Sequence, residues 1–466
     1  MSATASHQLV VVGAGAAGLA VAFCAATAGV DTAIIEGGRI GGECTWTGCI
    51  PSKTLIDAAR RVYQAKNSSQ LGISTGDIDV DFPALMKHIH SVSDAIAEEE
   101  GQKRLEAAGV HVHRSFATFR DPHTLVLADG TAVAGKRIVL ATGGRPRVPE
   151  PLRGVAHLTN ENLWDLEELP AHLAVVGGGA IGCELAQAFR RLGSEVTIIN
   201  DVEHLIPGAH PDAAAVITQQ LVNEGVTIHR GRTAVSATDG DHSIRIALDD
   251  GAVVTASHLL VATGRDMSIQ DLDPLAAGID IDEDGRPIID TRLRTSQSHI
   301  SVCGDASGAG FTHVASAQAA DVLVNLMSPI AVSVDTGVPR WAIFTDPEIA
   351  QVGRTAPEAS NHGVRLHTTR IPLTRVDRAM TGSATNGFIE TAHSRTGKLH
   401  GVTIVSPNAA ELANQWVRPV SKNRRLATMA FDETIYPTLG SSNAVLAFEW
   451  AEDRLRTGAI GKVVRT

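Results

Sequence analysis

The strongest constraint on this chain is a glycine turn that occurs twice. Residues 9–12, LVVV, run directly into GAGAAG at 13–18, then an alanine-rich helix to about Ala28, then DTAIIE, which ends at Glu36. The pattern returns as LAVV, GGGAIG at 177–182, CELAQAFRRLG and EVTIIN. Gly13 to Glu36 and Gly177 to Asn200 span 23 residues each. Strand, glycine turn, helix and strand together form the fingerprint of a dinucleotide-binding βαβ unit. Gly13 and Gly177 make the tight turn. Gly15 and Gly179 let the backbone approach a pyrophosphate, and Gly18 and Gly182 let helix pack closely on strand. The helix N-terminus then faces phosphate charge, and Glu36 can accept from a ribose hydroxyl. Asn200, followed by Asp201, is a less clear selector. No basic residue follows before His204, so a modest preference for NADH over NADPH is expected. Two such units in one chain imply two dinucleotides.

At 466 residues the chain is long enough for two to four domains. Its net charge of −11 and lack of a long basic stripe argue against a nucleic-acid partner. No 18-residue apolar run suggests a membrane span, and MSATASHQ does not resemble an export signal, so a soluble cytoplasmic protein is expected. The chain has only five cysteines, yet GECTWTGCIPSK at 42–53 places Cys44 and Cys49 close together. In a reducing compartment such a pair reads as catalytic or metal-binding rather than structural.

Two further segments, KRIVLATGGRP at 136–146 and HLLVATGRD at 258–266, look like the closing strands of dinucleotide domains. With VCGDAS at 302–307, FTHVASAQA, FTDPEIAQVG and GFIETAHSRTGKLHGVTIVSPNAAEL, they complete a pattern covering nearly the whole length. The chain resembles the class I flavoprotein disulfide reductases, or pyridine nucleotide-disulfide oxidoreductases, such as dihydrolipoamide dehydrogenase, glutathione reductase and mercuric reductase. The resemblance implies an α/β fold with two Rossmann-like dinucleotide-binding domains and a C-terminal α+β dimerisation domain. Residues 1–150 and 266–330 would form the FAD domain, 151–265 the NAD(P)H domain, and 335–466 the interface of a homodimer. Strands are expected at 341–344, 387–392 and 399–406, and a helix around NAAELANQW. FAD would contact the first glycine turn, Glu36, Lys53, Gly143 and the stretch with Gly304, Asp305 and Ala315. The nicotinamide cofactor would contact Gly177, Gly179, Gly182 and Asn200, with Gly264 in the second closing segment.

The resemblance also reads the cysteine pair as a redox disulfide. Cys49 would face the flavin and Cys44 would be the interchange thiol, with Lys53 beside the flavin paired to Glu184. Five residues along an ideal helix is a long reach for a disulfide, so the first turn must be distorted, and Gly48 and Pro51 make room for that. Structural zinc usually takes four protein ligands. Cys24, Cys183 and Cys303 supply no second pair, so no metal site is expected. Cys24 and Cys183, inside the glycine-turn helices, are expected to be buried thiols. Trp46 either screens the disulfide or packs locally.

The pattern departs from the family near the C-terminus. Reductases of small disulfides carry a His–Glu pair in a stretch resembling HPTxxE, contributed by the partner subunit. Here TIYPTLGSS at 434–442 puts Tyr436 at the histidine position and Ser441 at the glutamate position. A tyrosine is a poor base at neutral pH. The cysteine pair expected at the extreme C-terminus of a mercuric reductase is missing from GAIGKVVRT. The expected function is therefore FAD-dependent electron transfer from NAD(P)H through Cys44 and Cys49 to a small-molecule acceptor of unusual kind: an atypical disulfide, a thiol-bound metal or a quinone. The alternatives are a quinone or diaphorase-type reductase using the flavin directly, and a slow redox-sensing flavoprotein.

Overall fold

The structure, a computed structural model, describes residues 5–267, 269–328, 332–333 and 338–457. The terminal GAIGKVVRT and the expected domain boundary at 335 lie outside the described residues. The chain forms two compact units. The first takes the described residues up to Arg61, then Ala65–Pro170 and those from His258 to 333; the second takes Val62–Gln64, Ala171–Ser257 and those from 338 onward.

The first unit is built on a seven-stranded sheet. Its central strand Ala5–Val12 lies parallel to Thr32–Ile35 on one side and Ala132–Leu140 on the other. His111–His113 extends one edge in parallel, Ile300–Val302 joins Ala132–Leu140, and an antiparallel meander of Ala117–Asp121 and Thr124–Leu127 completes the sheet. A parallel strand must be covered on both faces, so it reads as an unbroken apolar run. Leu9 and Val11 pack among Ala17, Val21, Ala22 and Ala25 of the helix Ala16–Thr27 and Ala315, Ala319 and Val322 of the helix Thr312–Met327. Val10 and Val12 face the opposite side, with Phe119, Leu125 and Ile138. The buried stripe of Ala16–Thr27 runs through positions 17, 18, 21, 22 and 25, and Cys24 falls on its flank. The expectation of a buried Cys24 is thus corrected: this thiol is exposed, whereas Cys183 is buried.

The second unit opens with His172–Val176, Glu195–Asn200 and Thr227–Arg230 in parallel, around the helix Ala180–Leu192. An antiparallel three-stranded sheet covers Ala234–Ala256. The C-terminal part is an antiparallel five-stranded sheet with Arg340–Ile343, Glu348–Gly353, Leu399–Ser406, Phe388–His393 and His367–Pro372 in that order. The helix Ala409–Ser421 packs on it through the fully buried Trp416. The two parts of this unit are tied by a buried ion cluster. The Arg191 side chain is 4% exposed and reaches Glu224 at 2.7 Å and Asp346 at 2.9 Å. No helix of the described residues is long and apolar enough to cross a membrane.

Candidate active site

Gly13 adopts φ +100° at the end of the first strand, and a Cβ there would stand 2.3 Å from the Ala141 carbonyl oxygen. A Cβ on Gly18 would stand 1.9 Å from the Gly13 carbonyl oxygen, so helix and turn touch backbone to backbone. Gly15, by contrast, opens on free space: its nearest neighbour is the Gly42 Cα at 4.0 Å. Glu36 secures the turn by accepting from Ala14 N at 2.5 Å and Gly38 N at 2.6 Å. Gly13, Gly15, Glu36, Gly42, Glu43 and Gly143 line a cavity of about 660 Å³. A backbone cradle open at Gly15, a carboxylate at its rim and a cavity of this size fit a dinucleotide such as FAD.

The cysteine segment borders this cavity. Gly42–Trp46 forms a short helix that ends at Thr47 with φ −138° and ψ 0°, and Cys49–Lys66 starts a new one. The two cysteines thus stand on separate helices, which supplies the distortion the spacing requires. Distant residues hold this break in place. Trp164 Nε1 donates to Thr47 O at 3.0 Å, and Asn160 Nδ2 donates to Glu43 Oε1 at 3.0 Å. Arg265 also grips Glu43, reaches Asp305 at 3.4 Å, and donates to Gly144 O at 2.9 Å. Trp46 packs locally, donating to Ile40 O beneath the Arg39 guanidinium.

Both thiols are free, and each is the largest influence on the other's ionisation. The hydrogen bond from Cys44 is the main reason the Cys49 thiol is pulled down to about 6, and the Thr312 hydroxyl at 3.5 Å and the Lys53 charge help. The same hydrogen bond, with burial, drives the Cys44 thiol upward. The shared negative charge therefore rests on Cys49. Lys53 Nζ lies 3.3 Å from Ser52 Oγ. Gly304 follows the strand Ile300–Val302, with its N–H donating to Gln318 Oε1 at 2.9 Å, and Ala315 is buried in the helix behind it. Gly264 stands just before Arg265 with φ +116°. Cys183 and Cys303 are buried, and burial raises both thiols, so neither competes as a thiolate.

The second unit repeats the glycine turn, with Gly177 at φ +112° and a Cβ on Gly182 falling 2.0 Å from the Gly177 carbonyl oxygen. Gly179 has open space where its Cβ would be. Asn200 Oδ1 accepts from Gly178 N at 2.9 Å, while its Nδ2 donates to Val202 O and His204 O. Glu184 is buried in the helix after the turn and accepts from Phe344 N at 2.8 Å. Tyr436 is 69% exposed, and its hydroxyl donates to Asp377 Oδ2 at 2.7 Å. That carboxylate raises the phenol above its ordinary range. Ser441 is turned inward on its own loop, donating to Thr438 O.

Thr312, Glu43, Arg265 and Asp377 were not singled out from the sequence. Thr312 lies inside FTHVASAQA and Arg265 inside HLLVATGRD, but nothing local in either stretch marks the side chain. Asp377 meets Tyr436 across 59 residues, which no local pattern announces.

Two dinucleotide units, one bordered by a coupled thiol pair, define a nicotinamide-dependent dithiol oxidoreductase. The chain belongs to the pyridine nucleotide-disulphide oxidoreductase family, whose model matches residues 7–320, and the dimerisation domain of the same family matches 339–445. It is 30% identical over 459 residues to a dihydrolipoyl dehydrogenase of Chlamydia pneumoniae, covering 97% of each chain. It is 31% identical to a mercuric reductase of Bacillus cereus, covering 95% of this chain and 72% of that one. Among solved structures it is similar to LpdA of Mycobacterium tuberculosis, with TM-score 0.86 and 26% identity over 96% of this chain and 100% of that one. The HOCl-induced flavoprotein disulfide reductase RclA of Escherichia coli gives TM-score 0.86 and 25% identity, over 95% and 99%. The protein is an FAD-dependent enzyme that uses NAD(P)H.

Proposed function

We propose that this enzyme uses NAD(P)H, with NADH preferred, to keep Cys44 and Cys49 reduced, and that the pair reduces an acceptor other than glutathione disulfide or lipoamide. FAD, when bound, supplies two-electron exchange between the nicotinamide and the thiol pair. The first glycine turn, Glu36, Gly143, Gly304 and Asp305 would hold it, and Gly177, Gly179 and Gly182 would hold the nicotinamide dinucleotide. Glu184 would pair with Lys53. Cys49 stores the negative charge, and Cys44 would attack the acceptor. In a homodimer built through the C-terminal domain, Tyr436 of one copy would face Cys44 of the other.

The observation that carries this reading is the hydrogen bond from Tyr436 to Asp377. When Cys44 attacks a small disulfide, one sulfur leaves as a thiolate that needs a proton. The phenol proton is engaged with a carboxylate and held tightly by it. General acid catalysis of that step, typically worth about 10²–10⁴-fold, is therefore weak. Acceptors whose leaving sulfur needs no such proton fit better: a soft metal ion held between the two sulfurs, or a disulfide of unusually acidic thiols. The mercuric reductases among its relatives, and the Cu(II) complex in which RclA was solved, favour the metal.

Stopped-flow measurement of the two half-reactions tests this. Reduction by NADH should be fast, and reoxidation by glutathione disulfide or lipoamide slow. Tyr436→His with Ser441→Glu should speed the second half-reaction by roughly tenfold or more, short of full recovery, since small misplacements are costly. Rapid reoxidation of the unaltered enzyme by either disulfide would refute the reading.

A further inference from the structure

A second donor cluster lies at the opposite end of the first unit's sheet. His7 is in the strand Ala5–Val12, Asp31 immediately precedes Thr32–Ile35, and His111 opens His111–His113. These three strands are adjacent and parallel, so their N-terminal ends lie side by side. His7 Nδ1 is 3.0 Å from Asp31 Oδ1, and His111 Nε2 is 3.6 Å from the same oxygen. One donor atom from each residue lies within 4.8 Å of the others.

A hydrogen-bonded surface cluster would account for the His7–Asp31 contact alone. Two observations go further. His7 is 8% exposed, and its Nε2 is buried without a hydrogen-bond partner. His113, two residues beyond His111 and so on the same face of its strand, also has a buried Nε2 without a partner. The His113 ring lies 6.4 Å from the His7 ring. Buried polar atoms are normally satisfied, so these two exceptions leave unpaired imidazole nitrogens beside the cluster, in His7 on the ring nitrogen other than the one facing Asp31. Tetrahedral zinc, with bonds of about 2.0–2.1 Å, spaces its ligand atoms roughly 3.3–3.4 Å apart. The two separations from Asp31, 3.0 and 3.6 Å, bracket that spacing, and the two histidine nitrogens lie within 4.8 Å of each other.

We propose that His7, Asp31 and His111 bind one divalent cation of the Zn(II) type, with His113 as a neighbouring third imidazole. Two imidazoles and a carboxylate suit zinc better than the hard, all-oxygen cations. The site stands apart from the redox centre. His7 precedes Gly13 by six residues of extended strand, roughly 20 Å at about 3.3 Å per residue. The cation is therefore not an electron acceptor. It clips together three strand ends that meet only in the fold. The inference is independent of which acceptor the thiol pair reduces.

Equilibrium dialysis of full-length protein against ZnCl₂, with metal analysis, tests it. The Cys44→Ser/Cys49→Ser background removes thiol competition. That protein should bind one Zn(II) more per chain than the same background carrying Asp31→Asn and His111→Ala. Each single change should weaken binding at least about tenfold. Both residues are exposed, so the variants should fold, and circular dichroism would verify it. Zn(II) should raise the melting temperature of the background protein but not of the double variant, since it binds the folded form alone. Equal zinc stoichiometry and affinity in both proteins, or no zinc bound by the background protein, would overturn the proposal.

Discussion

The two glycine turns are nearly superimposable in their logic and differ in one side chain. Both place a polar residue 23 positions after the first glycine, and both use it to accept from the backbone N–H that follows that glycine. In the first unit the residue is a carboxylate at the rim of a large cavity. In the second it is a buried amide whose two N–H groups are consumed by Val202 O and His204 O. Glu36 keeps acceptor capacity for a ribose, whereas Asn200 mainly organises its own loop. The same backbone frame thus leaves a carboxylate at the cavity rim in one unit, and in the other a closed amide beside the exposed Asp201 and Val202.

The largest expected effect comes from breaking each turn separately. Gly13→Val puts a branched side chain into the Ala141 carbonyl at a left-handed φ, so the purified protein should lack FAD and its visible absorbance. Gly177→Val should leave flavin content intact and raise the KM for the nicotinamide donor at least about tenfold. Equal flavin loss in both variants would mean that the two units do not divide the cofactors. Next in size is Asn200→Asp, which replaces the amide nitrogen that donates to two carbonyls by a carboxylate oxygen facing them. A loss of about 1–3 kcal/mol is expected, read as an earlier denaturant midpoint with flavin content unchanged. A smaller effect is expected at Asp201, which is exposed: Asp201→Arg should move kcat/KM towards NADPH several-fold by pairing with the 2′-phosphate. No shift there would return the selector to Asn200.

The mildest test concerns the close thiol pair, Cys44 and Cys49, which lies in the first unit. The Cys49 thiolate should disappear as pH falls through about 6, followed by difference absorbance near 240 nm in the reduced protein. Cys44→Ala should move that midpoint upward, because the largest stabilisation of the thiolate comes from Cys44. Thr312→Val should raise it less, by up to about one pH unit, because a weaker donor is lost. An unchanged midpoint in both variants would separate the low value from these contacts.

What the sequence disclosed follows the range over which each signal acts. The glycine turns and their flanking strands are local patterns and lie where turn chemistry puts them, while of the strands the family resemblance implied, the one expected at 387–392 runs over 388–393 and the other lies at 399–406. The need for a distorted turn between Cys44 and Cys49 was also legible from their spacing. Its agents were not: Asn160 and Trp164 each act across 117 residues. Thr312 reaches Cys49 across 263 residues. Cys24 misled because helix membership alone does not say which flank meets solvent. His7, Asp31 and His111 carry no spacing signature, since only parallel strand pairing brings their ends together.

Arg191 bears on how portable the nucleotide module is. Its guanidinium belongs to the helix after the second glycine turn, yet one of its two carboxylate partners, Asp346, comes from the C-terminal part. Excising residues 171–257 as a stand-alone fragment would strip that partner away and expose apolar surface beside a charge built for burial. Breaking a buried ion pair typically costs about 3–5 kcal/mol, a large share of a small domain's stability. Grafting this segment into another reductase to change its coenzyme would therefore require carrying Asp346 and its loop with it. The natural unit of recombination here is larger than the βαβ fingerprint suggests.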